Sequence, residues 1–263
     1  MTDSTAPLVR IDRLDDGVVE VVLDRPEAMN AVSTAMAQAL VAAGDELRAD
    51  PGVRAVVVTS SHQKAFCVGA DLKERNGFSD DDLRAQRPGN RRAYRALYDL
   101  PVPTIAAVDG HALGGGCELA LACDLIVAGP KASFALPEVS VGVIPGGGGT
   151  QLLTRRIGWS RAADLIFTAR RVDGPEAARL GLVDRVVEDA KGEALAMAAT
   201  IGRHSPVGVR NAKAAMRGGL DLTIDEGLDL EDARWHDTAF SADRAEGVRA
   251  FAEKRRPNWP GPR

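Results

Sequence analysis

Four short apolar runs constrain this chain more than any other feature. Val18 to Leu23, Ala55 to Thr59, Ile105 to Val108 and Leu125 to Ala128 are rich in β-branched and small residues, and Ala-Val-Val-Val-Thr at Ala55 has no polar face at all. A strand that is apolar on both sides is at home only inside a sheet covered on both faces. Segments of helical period stand between the runs. Met36, Leu40, Ala43 and Leu47 repeat at helical spacing after Ser33, a suitable N-cap, and Pro51-Gly52 ends the pattern. Ser79 to Asp99 is charged and helical in character, and Cys117 to Cys123 is a good helix former. Strands alternating with helices predict an α/β protein.

Beyond about Ser160 the pattern turns mostly helical. Asp173 and Glu176 have capping-box spacing with Pro175 in the first turn. Val183 to Val187 is the last expected strand. Pro206 to Arg217, Thr223 to Phe240 and Ala242 to Lys254 are expected as three helices. The Arg203-His204-Ser205-Pro206 segment divides an α/β body, residues 1–203, from a helical region, residues 204–263. There is no internal repeat or low-complexity tract.

Composition narrows the function. With 263 residues, 45% of them hydrophobic, the chain can bury a sizeable core. A formal charge of -4 gives no basic field to draw in nucleic acid or an acidic membrane. No apolar run approaches the roughly 20 residues that a membrane helix needs. Met1 to Leu8 lacks the charged and apolar regions of a secretory signal. Cys67, Cys117 and Cys123 form neither a disulfide framework nor a zinc spacing, and His62, His111, His204 and His236 add no metal-ligand pattern. The expectation is a cytoplasmic protein with no metal, no nucleic-acid partner and no membrane.

Two carboxylates stand in apolar surroundings. Glu118 follows Gly114-Gly115-Gly116-Cys117, and Glu138 lies within Phe-Ala-Leu-Pro-Glu-Val-Ser-Val-Gly. Desolvation raises such a carboxyl toward the range useful for proton transfer, although a cap or a buried ion pair would place glutamate there as well. The three glycines precede a helix, where free N–H groups can hold an anion or an oxyanion; a tight strand-to-helix turn is the plainer reading. Gly146 to Gly149 lacks the Gly-Lys-Ser/Thr of a P-loop and completes no dinucleotide fingerprint, so it is expected to be a turn into a helix near Thr150. His111-Ala-Leu-Gly-Gly-Gly has an esterase-like look, but no Gly-x-Ser-x-Gly elbow accompanies it. Lys254-Arg255-Arg256 is a solvated basic face or a contact for a phosphate.

Together these segments resemble the enoyl-CoA hydratase/isomerase family, the crotonase superfamily. The likeness rests on Phe66-Cys67-Val68-Gly69-Ala70-Asp71-Leu72-Lys73, on Ile105 to Asp124, and on Pro137-Glu138 continuing through Gly142-Val143-Ile144-Pro145-Gly-Gly-Gly-Gly-Thr-Gln. It runs from about Val18 to the C-terminus. The resemblance implies a spiral of ββα units, a C-terminal helical region that builds a homotrimer or a doubled homohexamer, and a 2-enoyl-CoA substrate. It implies that the Ala70 and Gly115 N–H groups form an oxyanion hole and that Glu118 and Glu138 share a catalytic water, Glu118 taking its proton and Glu138 protonating the α-carbon. It assigns coenzyme A contacts to Glu27, Ala28, Met29, Ala70, Asp71, Leu72, Lys73 and Gly115, with Phe251 and Lys254 supplied by a neighbouring subunit. No metal or redox cofactor is implied; coenzyme A enters with the substrate.

Val68 stands where many members carry Ala, and Gln86 to Arg92 occupies the stretch where members differ most in acyl-pocket shape. The branch most similar is that of the methylglutaconyl-CoA hydratases, on Ala70 to Arg75, Leu100 to Ala107 and Ala250 to Arg255. Some of that branch bind RNA through a lysine-rich helix. Here Met36 to Arg48 has no lysine and carries Asp45 and Glu46, so RNA binding is not expected. Double-bond isomerisation on the same scaffold is the alternative chemistry.

Overall fold

The apolar runs become the central strands of one large sheet. The structure is a computed structural model that describes residues 7–262. The leader reading of Met1 to Leu8 therefore falls mostly outside the described residues. Strand β1 (Val9–Arg13) pairs antiparallel with β2 (Val18–Leu23), and helix α1 (Thr34–Ala49) follows with the Ser33 hydroxyl accepting from the Met36 N–H. Then come β3 (Ala55–Ser60), β4 (Ala65–Cys67), the short α2 (Leu72–Arg75) and the long α3 (Asp80–Tyr98). Next are β5 (Thr104–Val108), β6 (His111–Leu113) and α4 (Gly115–Leu121), then β7 (Leu125–Ala128), β8 (Ser133–Ala135) and α5 (Gly149–Ile157). The remaining elements are α6 (Trp159–Thr168), β9 (Val172–Asp173), α7 (Gly174–Leu180), β10 (Arg185–Val186) and α8 (Ala190–Gly202), followed by α9 (Pro206–Gly219), α10 (Ile224–Ala239) and α11 (Ala242–Ala252).

Three times the chain lays a strand in the large sheet, a short strand in a small sheet, and leaves by a helix. β3, β5 and β7 belong to a six-stranded sheet ordered β1-β2-β3-β5-β7-β10, while β4, β6 and β8 belong to a four-stranded sheet ordered β4-β6-β8-β9. This is the expected spiral of ββα units. All pairs are parallel except β1 with β2 and β8 with β9.

The central strands are covered on both faces, as their composition requires. Val56, Val58, Ala106 and Ile126 face the main core with α1, whereas Val57, Ile105 and Val127 face Ala190, Ala194 and Ala198 of α8. Small residues at every fourth position let α8 lie close on the sheet. That helix was not singled out in the sequence. Neither was β1.

Two local expectations change. The strand over Val183 to Val187 shortens to β10, because the Leu182 and Val183 N–H groups both bond to the Ala177 carbonyl at the C-cap of α7. The capping box at Asp173 is only half formed: Asp173 accepts from the Glu176 N–H at 2.8 Å, but the Glu176 carboxylate turns to Arg170, also at 2.8 Å. In the C-terminal region, α9 is fastened to the body through Lys213 and Arg217, while α9 to α11 leave Met216, Ile224, Trp235, Phe240 and Phe251 exposed.

Candidate active site

Helix α4 starts where only glycine fits. A β-carbon on Gly116 would lie 1.9 Å from the Cys67 carbonyl oxygen, and one on Gly115 would lie 2.1 Å from the Tyr94 hydroxyl. This close approach buries every residue of α4 and carries Glu118 inside, 2% exposed. Its Oε1 accepts from the N–H groups of Gly147 and Gly149 at 2.7 and 2.8 Å. Burial pushes the Glu118 carboxyl above its ordinary value, against the pull of these two amides and of the Arg87 guanidinium. The Gly146 to Gly149 turn thus has a task its sequence did not disclose: its amides hold a buried carboxylate.

Glu138 opens a single turn of tight helix, Glu138–Val141, closed by Gly142 in the left-handed region. Its Oε1 packs over the start of α4, 2.9 Å from where a β-carbon on Gly114 would stand. Its Oε2 is buried with no hydrogen-bond partner among the described residues. Burial, reinforced by the nearby Glu118 charge, pushes its carboxyl up to about 7.

Facing these acids are two free amides. Gly69, at φ 91°, brings the end of β4 against α4; a β-carbon there would sit 2.8 Å from the Leu113 carbonyl oxygen and 3.0 Å from the Gly115 nitrogen. Ala70 follows, bridged to Val32 through its neighbours' amide and carbonyl groups. Among the described residues, neither the Ala70 nor the Gly115 N–H donates to another protein group.

Glu118, Glu138, Ala70 and Gly115 all line one cavity of about 1050 Å³. Leu72, Leu83, Val141, Val143 and Ile144 give it an apolar, exposed rim. Five buried side-chain polar atoms lack a partner among the described residues, and three of them, on Arg75, Asn90 and Glu138, belong to residues lining this cavity. Native interiors rarely leave such atoms unpaired, so these three are open to water or to polar groups of a ligand.

The other expected contacts scatter. Leu72 lines the cavity, but Asp71 caps α2 and pairs with Arg25 at 2.7 Å. Lys73 is exposed outside the lining. Glu27 and Ala28 sit on an exposed turn ending at Met29, whose carbonyl accepts from the Val68 N–H at 3.3 Å. Phe251, 87% exposed, and Lys254 lie outside the cavity of their own chain. Arg255, in the basic run, is engaged by Glu246 and Glu253. His111 bonds the Ser133 hydroxyl at 2.8 Å and is absent from the cavity wall. Burial pushes the Cys67 and Cys123 thiols up to about 12, which removes them as nucleophiles. Among the described residues no cluster could hold a metal ion, and no helix is long and apolar enough to cross a membrane.

Sequence reading missed Tyr94. Its ring packs against Gly147 and its hydroxyl against Gly115, so it joins the two glycine turns. Burial raises its phenol above the ordinary value. The missed signal was helical spacing: Arg87, Asn90, Arg91 and Tyr94 repeat at three and four residues along α3 and all face the cavity.

The sequence matches the family described as enoyl-CoA hydratase/isomerase over residues 13–262. It is 41% identical over 262 residues to the mitochondrial methylglutaconyl-CoA hydratase of Mus musculus, covering 96% of this chain and 83% of that protein. A crystal structure of an enoyl-CoA hydratase from Bacillus anthracis superposes with a TM-score of 0.94 at 38% identity, covering 97% of this chain and all of the other. One from Mycobacterium smegmatis superposes at 0.89 with 37% identity, covering 97% and 99%.

Proposed function

Because the chain belongs to the enoyl-CoA hydratase/isomerase family, we propose that it adds water across the double bond of a 2-enoyl-CoA thioester, with Glu118 and Glu138 as the acid/base pair. The observation that supports this most is the pairing of two carboxyls, both raised by burial, with two unengaged main-chain amides in one cavity.

The thioester carbonyl accepts from the Ala70 and Gly115 N–H groups. Glu118 takes a proton from water as its oxygen bonds to the β-carbon. The electron pair of the double bond moves onto the thioester oxygen as an enolate. Each oxyanion donor is typically worth about 3 kcal/mol, and the start of α4 adds its dipole. Glu138, half protonated near neutral pH, delivers a proton to the α-carbon and restores the carbonyl. Both carboxyls hold the same water, so the addition is syn. The fixed amides on Glu118 suit it to the ionised role, and the unpaired Oε2 of Glu138 suits it to the neutral one.

The coenzyme A portion runs past Glu27 to Met29 and the Ala70 to Lys73 loop. Phe251 and Lys254 of a neighbouring copy meet its phosphates, which accounts for an aromatic residue left bare on its own chain. The exposed apolar residues of α9 to α11 form the interface of a trimer or hexamer.

Crotonyl-CoA tests the reading. The wild type should bleach the absorbance of the conjugated thioester. Glu118→Gln should lose roughly 10³-fold in kcat, within the range for a positioned acid/base group, while keeping the wild type's solution mass, three or six times 27.8 kDa. An inert wild type, or full activity in Glu118→Gln, contradicts it.

A further inference from the structure

Resting on the hydratase reading, we propose that the Tyr94 hydroxyl donates a third hydrogen bond to the thioester oxygen, beside the Ala70 and Gly115 amides. Tyr94 lines the cavity between the two glycine turns. A β-carbon on Gly147 would lie 2.5 to 2.7 Å from three carbons of its ring, and one on Gly115 would lie 2.1 Å from its hydroxyl. The side chain therefore spans from the turn that holds Glu118 to the first residue of α4. The β-carbon direction of a helical residue tilts toward the helix N-terminus, and the unbonded N–H groups of a first turn point the same way. The Tyr94 hydroxyl, lying against that β-carbon position, stands on the side of Gly115 from which its free N–H projects.

The hydroxyl is uncommitted. Tyr94 is only 6% exposed, yet among the described residues its hydroxyl bonds to no protein group, neither to Glu118, whose Oε1 takes the Gly147 and Gly149 amides, nor to Glu138. Its oxygen is not sealed off either, so it opens on the cavity. A phenylalanine ring would pack against Gly147 equally well, so packing does not account for a hydroxyl taken out of water without an acceptor. Burial, with the Glu118 charge behind it, raises the phenol above its ordinary value, so it keeps its proton as a donor at neutral pH.

The reaction supplies the missing acceptor. As the β-carbon is attacked, negative charge gathers on the thioester oxygen in front of Gly115. A donor fixed there stabilises the enolate more than the neutral carbonyl, so it acts on turnover rather than on binding.

Tyr94→Phe removes the hydroxyl and keeps the ring. With crotonyl-CoA its kcat should fall about 10- to 100-fold, the range expected for a hydrogen bond to a charged group, with KM nearly unchanged. A second readout follows acetoacetyl-CoA, which ionises to an enolate that absorbs in the near ultraviolet. The pH at which the bound ligand is half ionised should be higher in Tyr94→Phe by about one to two units, the same factor. Affinity for butyryl-CoA, whose carbonyl stays neutral, should not change. A variant with the wild type's kcat overturns the third donor. So does a loss of kcat with no change in the ionisation of bound acetoacetyl-CoA, which would put the hydroxyl on the water or on an acid. Loss of butyryl-CoA affinity by the same factor also overturns it, because Tyr94 would then be a packing residue. All three outcomes leave the hydratase reading intact. A wild type that does not hydrate crotonyl-CoA overturns the parent reading and the third donor with it.

Discussion

Two acidic sites, the half-buried Asp124 and the buried Glu118, lie six residues apart on the chain and have opposite fates. Asp124 follows α4 and receives Lys213 and Arg217 from α9, each at 2.7 Å, while its Oδ2 also accepts from the Thr104 N–H at 2.8 Å. Burial pushes the Asp124 carboxyl up, but the two cations outweigh it and hold it below the ordinary value. Glu118, within α4, and Glu138 beside it have no cation paired to them among the described residues, and burial leaves both raised. The same cost of desolvation is thus offset at one site by countercharge and left largely standing at the other. The first arrangement ties α9 to the sheet; the second leaves both carboxyls raised by burial, Glu138 up to about 7.

The contrast can be broken by substitution. The largest expected effect is the roughly 10³-fold loss of turnover in Glu118→Gln with stability nearly unchanged. Asp124→Asn should do the reverse. Removing the anion strands Lys213 and Arg217 beside it, at a cost of about 3 kcal/mol by the usual penalty for breaking a buried pair. Urea unfolding should show the lowered midpoint, and the folded fraction should keep its kcat. If Asp124→Asn loses turnover as severely as Glu118→Gln without loss of stability, the division between the two sites fails.

The smallest expected effect is on pH dependence. Glu138 is neutral below about 7 and ionised above it. Hydration needs the neutral form as proton donor, so its rate should fall as pH rises through 7, by about tenfold per unit once the carboxyl is mostly ionised. Dehydration of the 3-hydroxyacyl product uses the same single proton on the pair, now on Glu118, and the overall reaction takes up no proton, so kcat/KM should fall in parallel in both directions. Initial rates in both directions on one preparation check this; a hydration rate that stays level or rises through pH 7 contradicts the assignment.

How much of this was legible beforehand follows from how local each signal is. The strands declared themselves through runs such as Ala-Val-Val-Val-Thr, and α1 through the spacing of Met36, Leu40, Ala43 and Leu47, because burial writes itself into composition and period. Glu118 and Glu138 were visible for the same reason, as acids in apolar company. The Gly147 and Gly149 amides on Glu118 were not: the contact spans about thirty residues, and nothing near those glycines announces it. The Asp124 cluster was hidden likewise, since Lys213 and Arg217 lie far along the chain. Strand β1 was missed because Arg10 and Asp12 interrupt a five-residue element. The resemblance set Gln86 to Arg92 at the acyl pocket, but it did not reach Tyr94, the next turn of the same face of α3.

The most direct test of the central claim, that Glu118 and Glu138 work on one water, is hydration of crotonyl-CoA in D2O with the product's α-carbon configuration read from proton couplings. The expected product carries deuterium and hydroxyl added to the same face, as a single diastereomer. An anti product, or a mixture of both, would mean that the two protons are handled from separate places.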